Sequence, residues 1–124
     1  MSGTVCIIEH DEDMREVLSR VARSAGLTAA VYDSIDSFLR RADNSAVGCV
    51  LVDVQLGGLN GVELLEQLAG CGNLGYPVFL ISGAHDGDTV RAAKRLGAVI
   101  IDKPFNARLL AQTIRTAVSA NRNG

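Results

Sequence analysis

Four short apolar segments of this 124-residue chain each end in a side chain suited to phosphate or metal chemistry. The segments and the residues that follow them are Val5–Ile8 with Glu9, Cys49–Val52 with Asp53, Val78–Ile81 with Ser82, and Val99–Ile101 with Asp102, Lys103 and Pro104. Carboxylates are hard oxygen ligands for a divalent cation, while an ammonium and a hydroxyl bind phosphoryl oxygens. Brought together, these groups could hold a metal ion and a phosphoryl group.

A parallel sheet would place these side chains close to one another. Continuous apolar segments of this length are typical of strands that are buried on both faces of such a sheet. In an open parallel sheet, ligands bind in the crevice at the carboxyl ends of the strands. We therefore expect the polar positions to converge at one edge of a single sheet.

Helical patterns alternate with these strands along the chain. The expected helices are Met14–Ala25, Ile35–Ala42, Val62–Ala69, Asp88–Leu96 and Ala107–Val118, and Thr28–Tyr32 is a fifth, weaker strand. Ser34 and Asn106 are placed to act as N-caps, and Gly26 and Gly97 to end helices. Five strands and five helices in strict alternation predict an α/β fold with right-handed crossovers.

Length and composition favour one domain over residues 1–124, with 48% hydrophobic residues and a net charge of −2. That charge argues against a nucleic-acid-binding surface, which requires a basic stripe. No apolar segment approaches the roughly 20 residues that a membrane span needs, and none is typical of a signal peptide. We expect a cytoplasmic domain.

The three cysteines do not indicate a metal site or a disulfide. Cys6 and Cys49 lie in expected core strands and are predicted to be small buried apolar residues. Cys71 lies in a glycine-rich loop. No CxxC or Cys/His spacing that is typical of zinc is present.

The residues after the strands resemble those of the receiver domain of bacterial two-component response regulators. The matching groups are Glu9-His10-Asp11, Asp53, Ser82-Gly83-Ala84 and Lys103-Pro104-Phe105, and the resemblance covers residues 4–118. It implies a doubly wound, flavodoxin-like sheet of strand order 2-1-3-4-5. In that order the first and third strands are neighbours, so Glu9 and Asp53 lie side by side at the switch point.

The resemblance also implies a phosphoacceptor and a metal ion. Asp53 would accept a phosphoryl group from the phosphohistidine of a sensor histidine kinase, or of a phosphotransfer protein, and form an acyl phosphate. Mg²⁺ would be held by Asp53, the backbone carbonyl of Gln55 and the acidic cluster at Glu9. The domain would be a signalling phosphoacceptor, capable at most of self-dephosphorylation, and not an enzyme.

Further site residues follow from the same resemblance. The Lys103 ammonium would pair with the carboxylate and then with the phosphate, and the Ser82 hydroxyl would donate to a phosphate oxygen. Gly83 and Ala84 would border the phosphate, with Ala84 leaving room beside it. The peptide bond before Pro104 is cis in the family.

His10 is the main departure from the family pattern, which has two adjacent acids at this point, the second being a direct metal ligand. Neutral imidazole is a poor ligand for Mg²⁺. Three interpretations stay open: a working site of weaker metal affinity in which Glu9 or Asp11 compensates, a pseudo-receiver that is seldom phosphorylated, or a site retuned for a softer ion such as Mn²⁺.

Two other departures concern the output. Ile100 stands where the family usually has an aromatic residue, so any rotamer switch must use other residues. Gly57 stands where the family often has proline. Glycine in place of proline is expected to make that loop more flexible.

Phosphorylation would switch a protein-binding surface formed by the fourth helix, the fifth strand and the fifth helix. Basic residues in that region are Arg91, Lys94, Arg95 and Arg108. The expected partners are the kinase and a downstream protein or an output domain outside this chain, without nucleic acid or membrane. A weak homodimer through the last two helices is also expected, and the chain is either a stand-alone receiver or part of a longer regulator.

Two alternative functions remain. The first is a phosphorylation-independent binding module on the same fold, in which an Asp53→Asn variant would bind its partner unchanged. The second is a flavodoxin-like or nucleotide-binding protein, which is disfavoured because neither GxxxxGK[ST] nor GxGxxG follows a strand.

Overall fold

The computed structural model describes residues 3–43, 46–54, 60–70, 75–83 and 87–123, with side chains through residue 120. The strands are β1 (Thr4–Ile8), β2 (Thr28–Tyr32), β3 (Val47–Asp53), β4 (Val78–Ser82) and β5 (Val99–Asp102). Within these ranges the helices are α1 (Glu12–Ser24), α2 (Ile35–Arg41), α3 (Gly61–Ala69), α4 (Gly87–Leu96) and α5 (Ala107–Asn123). Strands and helices alternate throughout, as the sequence predicts.

The strands form one parallel sheet of order β2-β1-β3-β4-β5. The predicted doubly wound order is therefore confirmed. Ile8 lies opposite Val52 across β1 and β3, and Ser82 lies opposite Asp102 across β4 and β5. This register brings the polar residues at the strand ends to one edge of the sheet.

Successive strand residues contribute to different faces of the sheet, as the pleat requires. One face packs against α2, α3 and α4, through residues that include Ile8, Val50, Val52, Leu80, Phe38, Leu64, Leu65 and Ala93. The other face packs against α1 and α5, through residues that include Ile7, Leu51, Phe79, Ile81, Leu18, Val21, Leu110 and Ile114. A sheet covered on both faces keeps the site-bearing strand ends in register with one another.

Helix boundaries follow the predicted capping residues. The Ser34 hydroxyl accepts the backbone N–H of Ser37 at 3.0 Å, and Asn106 Oδ1 accepts that of Leu109 at 3.0 Å. Gly26, with φ of 79°, follows α1 and relieves the steric cost that a side chain has in this conformation. Among the helices of the described ranges, none combines the length and apolarity that crossing a membrane requires.

Burial of the sheet is less uniform than the apolar segments predict. β5 was expected to be buried on both faces, but it is an edge strand, and Val99 is 46% exposed. On the helices, Val17, Leu39 and Ala107 belong to predicted apolar faces and are nonetheless exposed. Periodicity identifies the face of a helix, but neighbouring elements decide how far that face is covered.

Cys6 and Cys49 are buried in β1 and β3, as predicted. Both are free thiols, and burial raises the pKa of Cys6 to about 11 and that of Cys49 to about 12. Protonated, buried thiols are poor nucleophiles, so these two residues act as packing groups. Cys71 lies outside the described residues.

Candidate functional site

Asp53 and Lys103 form the central ion pair of the site. Asp53 ends β3 and is 5% exposed, and Lys103 Nζ donates to its Oδ2 at 2.6 Å. The backbone N–H of Lys103 donates to the carbonyl of Ser82 at 2.8 Å, which ties the lysine to the end of β4. The Lys103–Pro104 peptide bond is cis, as the resemblance implied. A lysine and a carboxylate far apart in the sequence thus meet through the sheet.

Glu9 supplies a second buried carboxylate next to Asp53. It follows β1 directly, is 2% exposed, and its Oε2 accepts the backbone N–H of His10 at 3.0 Å. Burial, a side-chain hydrogen bond with Asp53 and the charge of Asp53 together raise the pKa of Glu9, against smaller opposing effects of the Asp11 N–H and His10. The site therefore holds two carboxylates that compete for positive charge.

The side chains of the two residues after Glu9 are not buried beside Asp53. The His10 side chain is 62% exposed, and its Nδ1 lies 3.5 Å from Glu9 Oε2. The Asp11 side chain caps α1, since its Oδ1 accepts the backbone N–H of Asp13 at 2.9 Å. Of the three consecutive residues, Glu9 is the one whose carboxylate is buried beside Asp53.

Ser82 and Gly83 lie on the opposite side of Asp53 from Glu9. Ser82 ends β4, the strand that pairs with β3, and is 1% exposed. Gly83 lies beside Lys103, because a Cβ placed on it would be 4.0 Å from the Lys103 Cβ and Cδ atoms. Ser82 thus lies on the strand next to that of Asp53, where the sequence places it. Gln55, Gly57 and Ala84 lie outside the described residues.

Arg15 is a site residue that the sequence analysis missed. Its Nη1 donates to the backbone carbonyl of Glu9 at 3.3 Å, and the Glu9 N–H donates to the carbonyl of Tyr32 at 2.9 Å. Arg15 thereby anchors the segment that carries the buried carboxylate. The only sequence signal was its position early in the helix that follows Glu9.

The donor set fits a magnesium ion. Glu9 and Asp53 offer carboxylate oxygens, which Mg²⁺ prefers, and Lys103 neutralises only one of the two charges. Among the described residues, no cluster of three or more His, Cys, Asp or Glu side chains is arranged to enclose a metal. A binding ion would therefore keep several waters, as Mg²⁺ commonly does.

Known proteins with similar sequences and structures identify the family. The family model of the response regulator receiver domain matches residues 5–115. Transcriptional regulatory protein FixJ from Bradyrhizobium diazoefficiens is 32% identical over 117 residues, covering 94% of this chain and 57% of FixJ. The chain therefore spans little more than half the length of such relatives.

Solved structures agree with the sequence relatives. A response regulator receiver protein from Burkholderia phymatum is 32% identical, with a TM-score of 0.73 over 95% of this chain and 96% of that one. A receiver domain protein from Methanospirillum hungatei shares the fold, with 19% identity and a TM-score of 0.84 over 99% of this chain and 98% of that one. Receiver domains are signalling phosphoacceptors of two-component systems and generally bind Mg²⁺ at the phosphorylation site. Sequence match, fold and the acidic edge of the sheet lead to one conclusion: this chain belongs to the response regulator receiver domain family.

Proposed function

We propose that this domain accepts a phosphoryl group on the Asp53 carboxylate from the phosphohistidine of a sensor kinase or phosphotransfer protein. The observation that carries the proposal is the 2.6 Å contact between Lys103 Nζ and Asp53 Oδ2 at the acidic edge of the sheet. An ammonium held against a nearly buried carboxylate can exchange that partner for the incoming phosphoryl oxygens and stabilise their negative charge. This charged environment is suited to phosphoryl transfer, which depends mainly on positioning and charge neutralisation.

The transfer exchanges one bond to phosphorus for another. A carboxylate oxygen of Asp53 forms a bond to phosphorus as the P–N bond of the donor breaks. The electron pair of that bond returns to the imidazole, whose other nitrogen carries a proton, so the donor leaves as neutral histidine. Lys103 pairs with a phosphoryl oxygen, and the Ser82 hydroxyl donates to another.

Glu9 and Asp53 would hold Mg²⁺, together with the backbone carbonyl of Gln55. When bound, the ion supplies positive charge that offsets the two carboxylates and the phosphoryl oxygens. Lys103 by itself offsets one of these negative charges, and Arg15 fixes the backbone of Glu9 through its carbonyl. The carboxylates then remain ionised and ready for the transfer.

His10 would weaken this metal site without removing it. Its imidazole is largely exposed, while the neighbouring Glu9 side chain is buried against Asp53. Glutamate is one methylene longer than aspartate, and this extra reach can replace the carboxylate that His10 does not supply. Asp11 contributes less, because its carboxylate caps α1.

The output surface would be formed by α4, β5 and α5. Exposed apolar residues lie there, with Val99 46% and Leu109 61% exposed. The basic side chains Lys94 and Arg95 are exposed on α4. This surface would contact a downstream protein, an output domain or a second copy of the chain, within one cytoplasmic receiver domain spanning residues 1–124.

The proposal can be tested by intact mass spectrometry after incubation with acetyl phosphate and Mg²⁺. We expect a single phosphoryl adduct that disappears with EDTA and in the Asp53→Asn variant. A Lys103→Arg variant keeps the charge and tests whether the compact ammonium is required. An adduct of equal yield in Asp53→Asn would contradict the proposal.

A second candidate function, a pseudo-receiver that binds its partner without phosphorylation, is favoured by one observation. Neither His10 nor Asp11 adds a third carboxylate to the pair, since His10 brings an exposed imidazole 3.5 Å from Glu9 Oε2 and the Asp11 carboxylate caps α1. If the wild type takes no phosphoryl group and His10→Asp does, His10 prevents phosphorylation and the domain signals by binding. A wild-type adduct of full yield would exclude this second function.

A further inference from the structure

Strand β2 leaves one edge of the sheet open. It ends the strand order β2-β1-β3-β4-β5 and pairs with β1 on its other side. Every residue of the strand is at least partly exposed, and Val31 is 49% exposed. Edge strands are usually protected from other chains by charged residues or proline, but β2 contains neither. A strand of this kind is suited to pairing with a strand of another chain.

The peptide groups of Ala29 and Val31 face this open edge. The Glu9 N–H donates to the carbonyl of Tyr32 at 2.9 Å, so Tyr32 directs its peptide groups toward β1. Successive residues of a strand direct these groups to opposite edges. Ala30 therefore also faces β1, whereas Ala29 and Val31 face outward. Within the described ranges, no hydrogen bond from outside the sheet reaches these two outward residues.

We propose that β2 pairs antiparallel with β2 of a second copy of this chain, which joins the two sheets across a two-fold axis. An antiparallel pair of identical strands is self-complementary about such an axis. With Ala30 of both copies at the axis, Ala29 of each copy lies opposite Val31 of the other. Each of these two pairs then exchanges both of its N–H···O bonds. The methyl group of Ala30 is small enough for the close approach of strands at a position without hydrogen bonds, where Cα atoms are about 4.5 Å apart.

Charges at the two ends of β2 fit this arrangement. Arg23 lies in the last turn of α1, shortly before β2, and its side chain is 58% exposed. Glu16 Oε1 lies 3.4 Å from Arg23 and 3.1 Å from Arg20, so one carboxylate is shared by two guanidinium groups. Asp33 follows β2 directly and is exposed.

These charges favour a second copy over a neutral strand of another protein. In an antiparallel pair, the start of one strand lies beside the end of the other. Arg23 of each copy therefore comes near Asp33 of the other copy, and the two-fold axis repeats this contact. Opposite charges placed in this way fix the orientation of the two chains.

Sedimentation equilibrium of the metal-free chain tests the proposal. Two short strands bury less surface than the roughly 1,600 Å² of a standard interface, so we expect a weak dimer at chain concentrations between about 10 μM and about 1 mM. Val31→Pro removes an outward N–H and leaves the bonds to β1 intact, so it should weaken the dimer about tenfold or more. Val31→Thr keeps this N–H and is the matched control.

A charge exchange tests the orientation of the pair. Arg23→Asp and Asp33→Arg should each weaken the dimer by about threefold to tenfold. The double variant restores opposite charges and should recover most of the association. Lys94→Asp reverses an exposed charge on α4 and should have no effect. A dimer that Lys94→Asp dissociates and Val31→Pro does not would use α4 instead of β2 and would overturn the proposal.

Disulfide trapping tests the register. In a Cys71→Ser background, Ala30→Cys places two thiols opposite each other at the axis, at a Cα separation that a disulfide can span. Thr28→Cys would face Tyr32 of the second copy and is the matched control. We expect oxidation with copper phenanthroline to give a covalent dimer of Ala30→Cys and little of Thr28→Cys. Asp53→Asn should associate like the wild type, so failure of the phosphoacceptor proposal and failure of this one are distinguishable.

Three results would overturn the proposed β2 pairing. The first is a chain that stays monomeric at about 1 mM, beyond the range expected for this contact. The second is equal cross-linking of the two cysteine variants. The third is a dimer that a folded Val31→Pro variant forms as readily as the wild type.

Discussion

The charges of three residues dominate the site. Glu9 and Asp53 are both nearly buried, and Lys103 supplies one positive charge to Asp53. Removal of charged groups from water is costly unless they are paired. Burial, with the hydrogen bond and charge of Asp53, raises the pKa of Glu9, and the incompletely balanced negative charge suits the site to a cation.

Replacing Lys103 tests directly how much its positive charge stabilises the buried carboxylates. We expect Lys103→Ala to lower the free energy of unfolding by roughly 1–3 kcal/mol at neutral pH without metal, because Asp53 loses its partner. The loss should shrink at acidic pH as the carboxylates become protonated. Urea denaturation in EDTA measures it, with Lys94→Ala, an exposed lysine on α4, as the control expected to change stability by less than about 0.5 kcal/mol. Equal effects of the two substitutions would contradict this assignment of charge.

The raised pKa of Glu9 determines whether the stability of the protein rises or falls with pH. Because its pKa is raised above the ordinary 4.5, the folded protein retains a proton that the unfolded chain releases. The associated stability is fully present below the unfolded-state pKa and is lost as the pH rises through the folded-state pKa. We expect metal-free Glu9→Gln to lack this loss and to be roughly 0.5–2 kcal/mol more stable than the wild type at neutral pH. Thermal unfolding from about pH 4 to about pH 8, a range that begins near the ordinary glutamate pKa, measures the difference, and a less stable variant at neutral pH would contradict it.

At the scale of the elements, Asp11 at the start of α1 could act as a helix cap or as a metal ligand, and one variant distinguishes the two roles. Its carboxylate accepts the backbone N–H groups of Asp13 and Met14, so we expect Asp11→Ala to cost about 0.5–2 kcal/mol of stability. Its effect on Mg²⁺ affinity should be small compared with that of Glu9→Gln. Denaturation and Mg²⁺ titration by calorimetry measure the two effects. If Asp11→Ala weakened Mg²⁺ binding as much as Glu9→Gln, Asp11 would be a metal ligand and not merely a cap.

The contact between α3 and α4 depends on a missing side chain. A Cβ on Gly61 would clash with Thr89 Cγ2, and Thr89 is buried and stiff at χ1. Alanine normally stabilises a helix relative to glycine. Here we expect Gly61→Ala to destabilise the protein by roughly 1–3 kcal/mol, because α3 and α4 must move apart to accommodate the added methyl group. Chemical denaturation measures it, with Gly75→Ala as the control because nothing lies within 4 Å of its added Cβ.

A double variant identifies the cause of that loss. If Thr89 is the obstacle, Gly61→Ala combined with Thr89→Ala should be less destabilised than the sum of the two single variants. Strict additivity would mean that the cost arises elsewhere. The pair also tests whether α4, which follows Ser82, is held in place by the start of α3.

At the scale of the whole molecule, the sheet order joins distant residues into one site. The order β2-β1-β3-β4-β5 makes β1 and β4 the two neighbours of β3. Glu9 and Ser82 therefore flank Asp53, while Lys103 reaches it from the edge strand. The same topology places α1 and α5 together on one face of the sheet, with an open groove between them.

The sequence predicted these long-range relations better than it predicted exposure. Apolar segments that end in polar residues, together with the family resemblance, were enough to anticipate the pairing of Asp53 with Lys103. They could not reveal that Val99 and Val17 remain exposed, because coverage depends on which elements pack alongside. Arg108 was expected on the surface formed by α4, β5 and α5, but it borders an open groove between α1 and α5. The difference arises because the orientation of a helix around its axis is set by packing.

The most direct test of the phosphoacceptor claim asks which residue carries the phosphoryl group. Acetyl phosphate and Mg²⁺ are added to the wild type, and the adduct is divided between hydroxylamine and buffer before mass analysis. An acyl phosphate is cleaved by hydroxylamine, whereas a phosphoserine is not, and the Asp53→Asn variant separates Asp53 from every other acid. We predict one hydroxylamine-labile adduct that is absent from Asp53→Asn. A hydroxylamine-resistant adduct, or one that survives in Asp53→Asn, would contradict the account.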